Sequence, residues 1–495
     1  MTPPPTRFMF SVKPTVMKFG GSSVEDAGAF ARVADIVSSR REFRPVVVVS
    51  AMGGMTNALL ASVQQAVEGE LEVAMALLDP HFARHVTVAR SLLSEGQPMI
   101  FAAVEKARAE ISGLLQTILG QSQSSRSIGG STDAVLSNGE QLSSILLAAT
   151  LRERGVAARH VDARRCIITN QEYGNATPLL EETFHCSRTE LAPLIDESFV
   201  PVLGGFIAAT VDGETTTIGR GGSDYTAALI GAALEAREIQ IWTDVSGVLT
   251  ADPRLVPAAR TIPRLSYSEA AELAYFGAKV LHPKTIQPAV ESNIPVRICN
   301  SRAPDDSGTL VDSESETTQH TVKAIAHKTG VTTVQVSSAR MLGAYGFLRA
   351  LFEVFERHRT IVDVVTTSEV SVSLSLDDAT MLPAIVEELS RLGNVRVEKN
   401  QAIVCVVGEG LRGTPGIAAR VFSTISDINV TLISQGASSI NLTFAIDEKR
   451  VKEAVTRLHE KFFNQSNSTS NVQDSTSNVQ RPTSNVAEEL LGASP

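Results

Sequence analysis

The chain has 495 residues, of which 43% are hydrophobic and 20% are charged, and its formal net charge is −10. This length predicts two to four domains, the composition is typical of a globular protein, and the negative charge argues against a general nucleic-acid surface. No apolar run reaches the roughly 18 residues of a membrane helix, and the four cysteines form no CxxC pair, so we expect a reduced, cytoplasmic chain without a metal site.

The first recognisable unit, TVMKFGGSS at residues 15–23, is an apolar run followed by a lysine, two glycines and two serines. Gly20 and Gly21 can take positive φ angles and let a ligand approach the backbone, and the N–H groups of a following helix attract anions. We therefore expect a strand, a helix that begins at the glycines, and a phosphate that Lys18 reaches. A glycine turn beside a solvated lysine is the alternative.

A second unit of the same kind, RPVVVVSAMGGMTNALL, follows at residues 44–60. Its valines are typical of a strand that is buried on both faces of a parallel sheet. The turn at Gly53 and Gly54 then leads to a helix that we expect to start at Thr56. This repetition of strand, loop and helix predicts an α/β domain whose ligand lies at the carboxyl ends of the strands.

The next part of the chain is predicted to be helical over residues 70–120, with a break at 95–98, and then to form a polar surface loop over 121–133. Another helix is expected from Asn138, with Glu140 in its first turn. A carboxylate in that position stabilises the helix dipole. Glu140 therefore has a structural explanation as well as a candidate substrate role.

A second glycine-rich loop, GRGGSDYTA at residues 219–227, opens onto a helix of small residues. Its Arg220 carries the forked guanidinium that binds a carboxylate or phosphate through two hydrogen bonds. The strand at 239–243 then leads into TDVSGVLTADPR, where Asp244 and Arg254 are candidate nucleotide contacts. Ordinary turn chemistry is the alternative for both residues.

The segment FGAKVLHPKT at residues 276–285 brings another lysine, Lys279, directly after a glycine and an alanine. His282 precedes a proline, and a role in helix initiation or packing is favoured over a role as a ligand. The last strand of this domain is expected at 294–298, and the segment 300–320 is polar.

The second half of the chain has a different pattern. From residue 323, strands and helices recur as two copies of a βαββαβ unit. From Asn464 the chain is rich in serine, asparagine and threonine, which predicts a disordered tail. The first fourteen residues, with three consecutive prolines and no signal-peptide core, are expected to form a disordered lead-in.

Six segments, taken together in their order and spacing, resemble the aspartate kinases, and the match extends along the chain except at its two ends. They are KFGGSS (18–23), VVSAMGGMTN (48–57), NGEQLS (138–143), GRGGSDYTA (219–227), IWTDVSGVLTADPR (241–254) and FGAKVLHPKT (276–285).

The resemblance implies an α/β protein with an amino-acid-kinase fold, which is a three-layer αβα arrangement with a mostly parallel sheet, followed by two ferredoxin-like βαββαβ ACT domains. It also implies a monofunctional enzyme that transfers the γ-phosphoryl group of ATP to the side-chain carboxylate of L-aspartate, the first step of lysine, threonine and methionine biosynthesis. The expected domain bounds are a lead-in (1–14), a catalytic domain (15–302), a linker (303–322), two ACT domains (323–400 and 401–463) and a tail (464–495).

The product of this reaction is 4-phospho-L-aspartate. Because the aspartate carboxylate is already ionised at neutral pH, the reaction depends on cations and N–H donors around a crowded anionic centre. The resemblance implies that Lys18 and Lys279 neutralise charge on the phosphoryl group, with Asp224 organising the lysines. Arg220 is implied for a substrate carboxylate and Glu140 for the amino group.

The resemblance assigns further residues to each ligand. Leu249 stands where lysine-sensitive relatives carry a tyrosine, so a nucleotide contact there is expected only through the main chain. The aspartate-binding set is Thr56, Glu140, Arg220, Gly221, Gly222 and Ser223. The set for ATP, which is expected to carry Mg²⁺ on its phosphates, is Lys18, Gly20, Gly21, Thr243, Asp244, Arg254, Lys279 and Val280.

The first ACT unit resembles the effector segment of lysine-inhibited aspartate kinases. We therefore expect feedback inhibition by an amino acid, lysine, and a homodimer or homotetramer formed through the ACT domains. Ala344 stands where such relatives carry a serine, and the alternative is an ACT pair that only dimerises the enzyme. The implied effector residues are Met341, Phe347, Leu348, Val362, Asp363, Ser368 and Glu369.

Two other functions remain open at this point. Within the same fold, the alternatives are kinases of glutamate, acetylglutamate or UMP. From a different class, the alternative is a non-catalytic amino-acid sensor of the ACT type. The ACT pair argues against the first group, and the presence of Lys18, Lys279 and Arg220 argues against the second. No nucleic-acid or membrane partner is expected.

Overall fold

The structure, a computed structural model, describes residues 12–120, 125–277, 281, 283–313, 321–343, 345–436 and 438–464, with the side chains of 125–127 left out. The N-terminal part is an α/β unit. Its strands are β1 (Thr15–Phe19), β2 (Pro45–Val49), β3 (Ala158–Val161), β4 (Ile168–Thr169), β5 (Val200–Gly204), β6 (Ile207–Thr210), β7 (Thr215–Thr217), β8 (Glu238–Thr243), β9 (Arg264–Ser266), β10 (Val296–Asn300) and β11 (Thr309–Asp312). Its helices are α1 (Ala27–Ser39), α2 (Met55–Val67), α3 (Leu71–Leu92), α4 (Gln97–Gly120), α5 (Ser125–Glu153), α6 (Leu180–Asp196), α7 (Gly222–Ala233), α8 (Tyr267–Tyr275) and α9 (Gln287–Glu291).

The main sheet has the strand order β3-β5-β2-β1-β8-β10-β11-β9 in the described residues. β1 pairs in parallel with β2 on one side and with β8 on the other, and β5 and β10 extend the parallel arrangement outward. The chain therefore changes direction across the sheet at β1. In open parallel sheets a ligand binds at such a switch point, outside the carboxyl ends of the strands.

Alternating side chains of the central strands enter two separate cores. Met17 and Val47 pack with α1 to α5 on one face, whereas Val16 and Val48 pack with α6 and α7 on the other. All four side chains are fully buried. This double burial explains the continuous apolar runs in the sequence and confirms the expected three-layer arrangement.

Helix α5 differs from the sequence expectation, because it begins at Ser125 and includes most of the predicted polar loop. Gly129 lies so close to the ring of Tyr173 that a Cβ on it would be 2.9 Å from the Tyr173 Cβ. The Asp133 carboxylate accepts hydrogen bonds from Thr217 and from the Gly174 N–H. The Asp133 carboxylate is therefore satisfied by protein contacts, and Glu140 lies in the middle of a helix, not in its first turn.

Strand β11 also lies where only a polar segment was predicted. It pairs antiparallel with β10 and parallel with β9. Its polar residues have buried partners: the Thr309 hydroxyl accepts from the Val248 N–H and donates to the Ile262 carbonyl, and Asp312 forms an ion pair with Arg264 at 2.6 Å. The predicted linker therefore contributes a strand to the main sheet.

The C-terminal part is built on one antiparallel sheet with the order β13-β14-β12-β15-β17-β16 in the part of the chain described. Its strands are β12 (Ala324–Ser337), β13 (Val365–Thr367), β14 (Ser371–Leu376), β15 (Asn394–Val407), β16 (Val430–Gln435) and β17 (Asn441–Asp447). Its helices are α10 (Phe347–Arg357), α11 (Leu382–Leu389), α12 (Ile417–Thr424) and α13 (Val451–Phe463).

Two hydrophobic cores identify two units in this sheet. One contains α10 and α11, and the other contains α12 and α13. The units are not simple consecutive copies, because residues 324–328 of β12 pair with 403–407 of β15 and complete the second unit. Only the later half of β12, from Val331, belongs to the first unit. Since the sequence after α13 offers no strand pattern, the second unit takes its fourth strand from the segment that precedes the first.

The two parts of the molecule meet at α8. Glu269, near the start of this helix, forms an ion pair with Lys323 at 2.8 Å, and their side chains are 0% and 5% exposed. Further along the helix, the Glu272 carboxylate accepts a hydrogen bond from the Asn441 amide at 2.7 Å. None of the helices in the described ranges combines the length and apolar character needed to cross a bilayer.

Candidate active site

A cavity of about 370 Å³ opens at the carboxyl ends of β1, β2 and β5, beside the start of α7. Four of the six segments singled out in the sequence contribute to it. It is lined by Lys18, Gly21, Ser50, Ala51, Met52, Gly53, Gly54, Thr56, Asn57, Glu140, Phe206, Gly219, Arg220, Gly221, Gly222, Ser223 and Asp224.

The charged centre of this cavity is the pair formed by Lys18 and Asp224. The Lys18 Nζ lies 2.6 Å from Asp224 Oδ1, and both side chains are mostly buried. Lys18 comes from β1, whereas Asp224 lies in the first turn of α7. The carboxylate therefore fixes the ammonium at the switch point of the sheet, where it faces the space between the two glycine-rich loops.

The first glycine pair acts differently from the expectation. Gly20 has a φ of −74°, and its N–H donates to the Trp242 carbonyl at 3.2 Å, so this N–H has a partner before any phosphate arrives. A Cβ on Gly21 would lie 3.1 Å from the Ala51 carbonyl oxygen. The glycine at 21 is required by close contact of two loops, not by a positive φ. A single 3-10 turn, Gly21–Val24, does begin at the glycines, whereas the α-helix begins later, at Ala27, with Asp26 as its cap.

The second glycine-rich loop forms the opposite side of the cavity. Gly221 has a φ of +75° and precedes α7, whose first turn offers backbone N–H groups to an anion. The Ser50 hydroxyl donates to the Ser223 hydroxyl at 3.0 Å. A Cβ on Gly205 would lie only 2.6 Å from Ser223 Cα. Close contact between the end of β5 and α7 thus holds Ser223 at the cavity.

Glu140 is the buried acid of the cavity. Glycines allow its helix to pack closely, because a Cβ on Gly139 would lie 2.9 Å from Ala51 Cβ and a Cβ on Gly204 would lie 2.9 Å from Glu140 Cβ. Burial raises the pKa of Glu140 to about 8, although the Ala51 N–H partly offsets this shift. Its Oε2 has no hydrogen-bond partner in the described chain. A buried acceptor without a partner indicates a missing ligand group.

Arg220 and Thr56 line the same cavity from opposite loops. Arg220 is exposed, and among the described residues its guanidinium has no acceptor. A cation on one wall and a buried acid on another match the carboxylate and ammonium of an amino acid. The cavity can therefore bind a zwitterion next to the Lys18 ammonium.

A second cavity, of about 660 Å³, lies at the exit of β8. Thr243, Asp244, Leu249 and Arg254 line it from the N-terminal part, and His327 lines it from β12. The Arg254 guanidinium is paired with Asp252 at 2.7 Å and is 87% exposed. Three of the eight residues predicted for the nucleotide, Thr243, Asp244 and Arg254, thus share one cavity, but Arg254 is held by a neighbouring carboxylate.

Lys279, Val280 and His282 lie outside the described residues, so the structure gives no position for them. The residues around them are placed: Gly277 lines the second cavity, and a Cβ on Gly221, at the first cavity, would lie 2.8 Å from the Thr285 methyl carbon. The two ends of this segment therefore lie beside the two cavities.

The predicted effector residues fall on two sides of the first C-terminal unit. Met341 and the turn at Ser368 and Glu369 are brought together by the Ser338 N–H, which donates to the Val370 carbonyl at 2.8 Å. Asp363 instead faces the N-terminal part. Its carboxylate accepts a hydrogen bond from the Tyr275 hydroxyl.

The other predicted effector residues are partly or fully accessible, and Ala344, the departure from the family pattern, lies outside the described residues. Met341, Phe347 and Val362 are half-buried, whereas Leu348 and Glu369 are exposed. The effector residues therefore surround the start of α10 and the β13–β14 turn, with Asp363 separate from them.

Sequence reasoning missed several cavity residues. Ser50 follows β2 directly, as Lys18 and Thr243 stand at the ends of their strands, and the rule that polar residues at strand ends form the site would have found it. Asn57 and Phe206 had no comparable signal. Phe206 has a φ of +68°, which the sequence does not predict for a non-glycine residue.

Comparisons with known proteins agree with this geometry. Residues 13–300 match the amino acid kinase family, and residues 404–462 match the ACT domain. Lysine-sensitive aspartokinase 3 of Escherichia coli (strain K12) is 39% identical over 459 residues, which cover 90% of this chain and 99% of that protein. Aspartokinase 2, chloroplastic, of Arabidopsis thaliana is 38% identical over 466 residues, which cover 90% and 84%.

Solved structures give the same result. E. coli aspartokinase III in complex with aspartate and ADP, described as the R-state, has a TM-score of 0.77 and 37% identity, with 91% of this chain and 100% of that chain covered. The complex of the same enzyme with lysine and aspartate, described as the T-state, has a TM-score of 0.77 and 38% identity, with 91% and 99% covered.

Proposed function

Because this chain belongs to the aspartokinase family, we propose a catalytic arrangement for an ATP-dependent aspartate kinase. The enzyme transfers the γ-phosphoryl group of ATP to the side-chain carboxylate of L-aspartate. The similarity to aspartokinases over 90% of the chain does not support the glutamate kinase, acetylglutamate kinase or sensor alternatives. The observation that carries the proposal is the convergence of Lys18, Glu140, Arg220 and Asp224 on one cavity.

Aspartate binds in the first cavity. Arg220 binds a substrate carboxylate, and Glu140 accepts from the ammonium group. Because burial raises the pKa of Glu140 to about 8, the acid is mostly protonated at pH 7 before substrate binds and ionises when the ammonium arrives. Ser223, Gly221, Gly222 and Thr56 supply hydrogen bonds and space around the substrate.

In the transfer step, a carboxylate oxygen of aspartate attacks the γ-phosphorus while the bond from that phosphorus to the bridging oxygen of ADP breaks. The attacking carboxylate is ionised at neutral pH, so no general base is required. Lys18 and Lys279 stabilise the charge on the phosphoryl oxygens, and Asp224 orients the Lys18 ammonium. The role of the protein is therefore to position and neutralise charge.

The nucleotide binds across the second cavity, with Thr243, Asp244 and Arg254 around it, and Val280 is assigned to the nucleotide by the resemblance alone. The Arg254 guanidinium, which is now paired with the Asp252 carboxylate, binds a phosphate of the nucleotide in place of that carboxylate. Mg²⁺ would be held by the ATP phosphates, since hard cations of this size take oxygen ligands and commonly use substrate phosphates, and it would add to the neutralisation that the lysines provide.

Regulation is assigned to the C-terminal part. E. coli aspartokinase III has been solved with lysine, and we assign lysine as the inhibitor of this chain, bound by the effector residues around α10. A homodimer or homotetramer forms through the same unit, whose exposed apolar side chains include Leu342, Tyr345 and Ile361 at 67%, 103% and 78% exposure.

Residues 15–312 act as the catalytic domain, and the enzyme works in the cytoplasm.

A substrate panel tests the proposed function. Purified protein is assayed for ADP formation from MgATP with aspartate, glutamate, N-acetylglutamate or UMP as the acceptor. Aspartate is expected to support turnover far above the other three. Turnover with glutamate or UMP but not with aspartate would contradict the assignment.

A further inference from the structure

A tight turn between β2 and α2 forms one wall of the aspartate cavity. Gly53 and Gly54 are the turn residues, and Gly54 has a φ of +84° and precedes the helix directly. Gly53 also lies close to the glycine loop that follows β1, because a Cβ on Gly21 would lie 3.6 Å from the Gly53 Cα. The position of this turn therefore also constrains the loop that follows β1, so two of the loops around the substrate depend on it.

A side chain from outside the cavity holds this turn. The Arg84 Nη2, on α3, donates to the Gly53 carbonyl at 2.6 Å. Arg84 is half-buried and does not line the cavity. Its contact with the backbone is therefore the way in which it can affect the substrate.

A histidine supports the same arrangement. The Arg84 Nη2 lies 3.2 Å from the His81 Nδ1, and a Cβ on Gly54 would lie 3.4 Å from the His81 Cε1. His81 therefore packs on one glycine while its ring nitrogen accepts from the arginine that holds the other. Burial, and secondly the charge of Arg84, lower the pKa of His81, which keeps the accepting nitrogen free of a proton.

The geometry of the peptide bond extends this contact into the cavity. The described chain contains no cis peptide bond, so the Gly53 carbonyl and the Gly54 N–H point in opposite directions. Because the carbonyl points to Arg84 on α3, the Gly54 N–H points away from α3. Among the residues that the structure describes, no acceptor is found for this N–H, and Gly54 lines the cavity.

We infer that Arg84 is a positioning residue that aims the Gly54 N–H at an anionic oxygen of bound aspartate. The Arg84 guanidinium holds the Gly53–Gly54 peptide plane, and the N–H on the other side of that plane becomes a fixed donor beside Thr56. This inference rests on the proposed function, because it assigns a donor within the aspartate site.

Steady-state kinetics of three variants test the inference. Arg84→Met removes both guanidinium contacts while keeping an unbranched side chain, and Arg84→Lys keeps a cation that can donate to the Gly53 carbonyl. The matched control is Arg90→Met, an exposed arginine on the same helix whose guanidinium lies over the Phe101 ring. The thermal unfolding midpoint of each variant is measured alongside the kinetics.

The expected result for Arg84→Met is an aspartate KM raised about ten-fold or more. A hydrogen bond with a charged donor contributes more free energy than one between neutral groups, so its loss should release the Gly53–Gly54 peptide. The KM for ATP is expected to stay within about two-fold, and Arg84→Lys should recover most of the loss. Arg90→Met should match the unmodified enzyme. A shift in the aspartate KM alone is a result that general destabilisation would not give.

Two results would overturn the inference. One is an unchanged aspartate KM in Arg84→Met at an unchanged unfolding midpoint. The other is a parallel rise in the KM values for aspartate and ATP that Arg84→Lys does not reverse, because this indicates a structural role only. Turnover of aspartate by the unmodified enzyme is measured in the same experiment. If that turnover is absent, the proposed function itself is wrong; if it is present, either result above contradicts only the role of Arg84.

Discussion

The ammonium of Lys18 lies 2.6 Å from a carboxylate oxygen of Asp224, across the gap between the end of β1 and the first turn of α7. This contact joins the two glycine-rich loops at the switch point of the main sheet. It fixes a cation beside a helix N-terminus, where both the ammonium and the backbone N–H groups of the helix stabilise a bound anion. The transferring phosphoryl group is the anion that this arrangement fits.

Removal of the Lys18 charge is expected to affect the chemical step. Lys18→Met should lower kcat by roughly 10²–10³, because a single donor to developing charge typically contributes about 2.7–4 kcal/mol to the transition state. The aspartate KM should change little. Lys13→Met, at an exposed lysine near the start of the same strand, serves as the control, and near-normal kcat in Lys18→Met would refute the role of Lys18.

Glu140 should make the stability of the enzyme depend on pH. Its pKa rises from a usual value near 4.5 to about 8 on folding, so the folded state binds more protons than the unfolded state between these values. The free energy of unfolding therefore falls as the pH rises from about 4.5 to 8, by an amount on the order of a few kcal/mol. This loss occurs because burial disfavours the ionised form more than the Ala51 N–H stabilises it.

Glu140→Gln should remove this dependence. The variant is expected to gain stability relative to the unmodified enzyme as the pH approaches 8, while its aspartate KM rises because the ammonium loses its acceptor. Denaturant unfolding at pH 5 and pH 8 measures the difference. Glu72→Gln, on an exposed position of α3, is the control, and an identical pH dependence in Glu140→Gln would rule out this account.

Lysine should inhibit the enzyme through the first C-terminal unit. Glu369→Ala is expected to weaken inhibition by at least several-fold with little effect on activity without lysine, because Glu369 is exposed in the β13–β14 turn, remote in sequence from both cavities. Separate titrations with lysine, threonine and methionine measure this effect. Inhibition by threonine alone would show that the effector assignment is wrong.

The buried pair formed by Lys323 and Glu269 should hold the two parts of the molecule together. Lys323→Met leaves the Glu269 carboxylate buried without its cation and is expected to cost about 3–5 kcal/mol of unfolding free energy. The double variant Lys323→Met/Glu269→Met should recover much of this loss. Urea unfolding of the single and double variants gives the coupling energy, and additive losses would indicate that the pair is not coupled.

The sequence predicted those parts of the site that depend on local pattern. Lys18 and Thr243 stand at the ends of apolar runs, and parallel strands bring such ends to one edge of the sheet. The position of Glu140 could not be predicted in this way. The helix that carries it extends to Ser125 because Gly129 packs on Tyr173, which is 44 residues further along the chain.

Contacts between distant segments also explain the other differences. The Gly20 N–H donates to the carbonyl of Trp242, more than 200 residues away, although the resemblance placed Gly20 among the ATP-binding residues. β12 serves both C-terminal units because its first half pairs with β15 beyond Gln401. Neither the Gly20–Trp242 hydrogen bond nor the β12–β15 pairing can be read from the hydrophobic periodicity of the segments that form it.

The measurement that tests the central claim most directly is identification of the product. MgATP, L-aspartate and the purified enzyme are incubated with hydroxylamine, which traps an acyl phosphate as a hydroxamate. The account predicts ADP and aspartate β-hydroxamate in equal amounts, and loss of both in Lys18→Met. ADP formation without the β-hydroxamate, or a hydroxamate that forms only with glutamate, would contradict it.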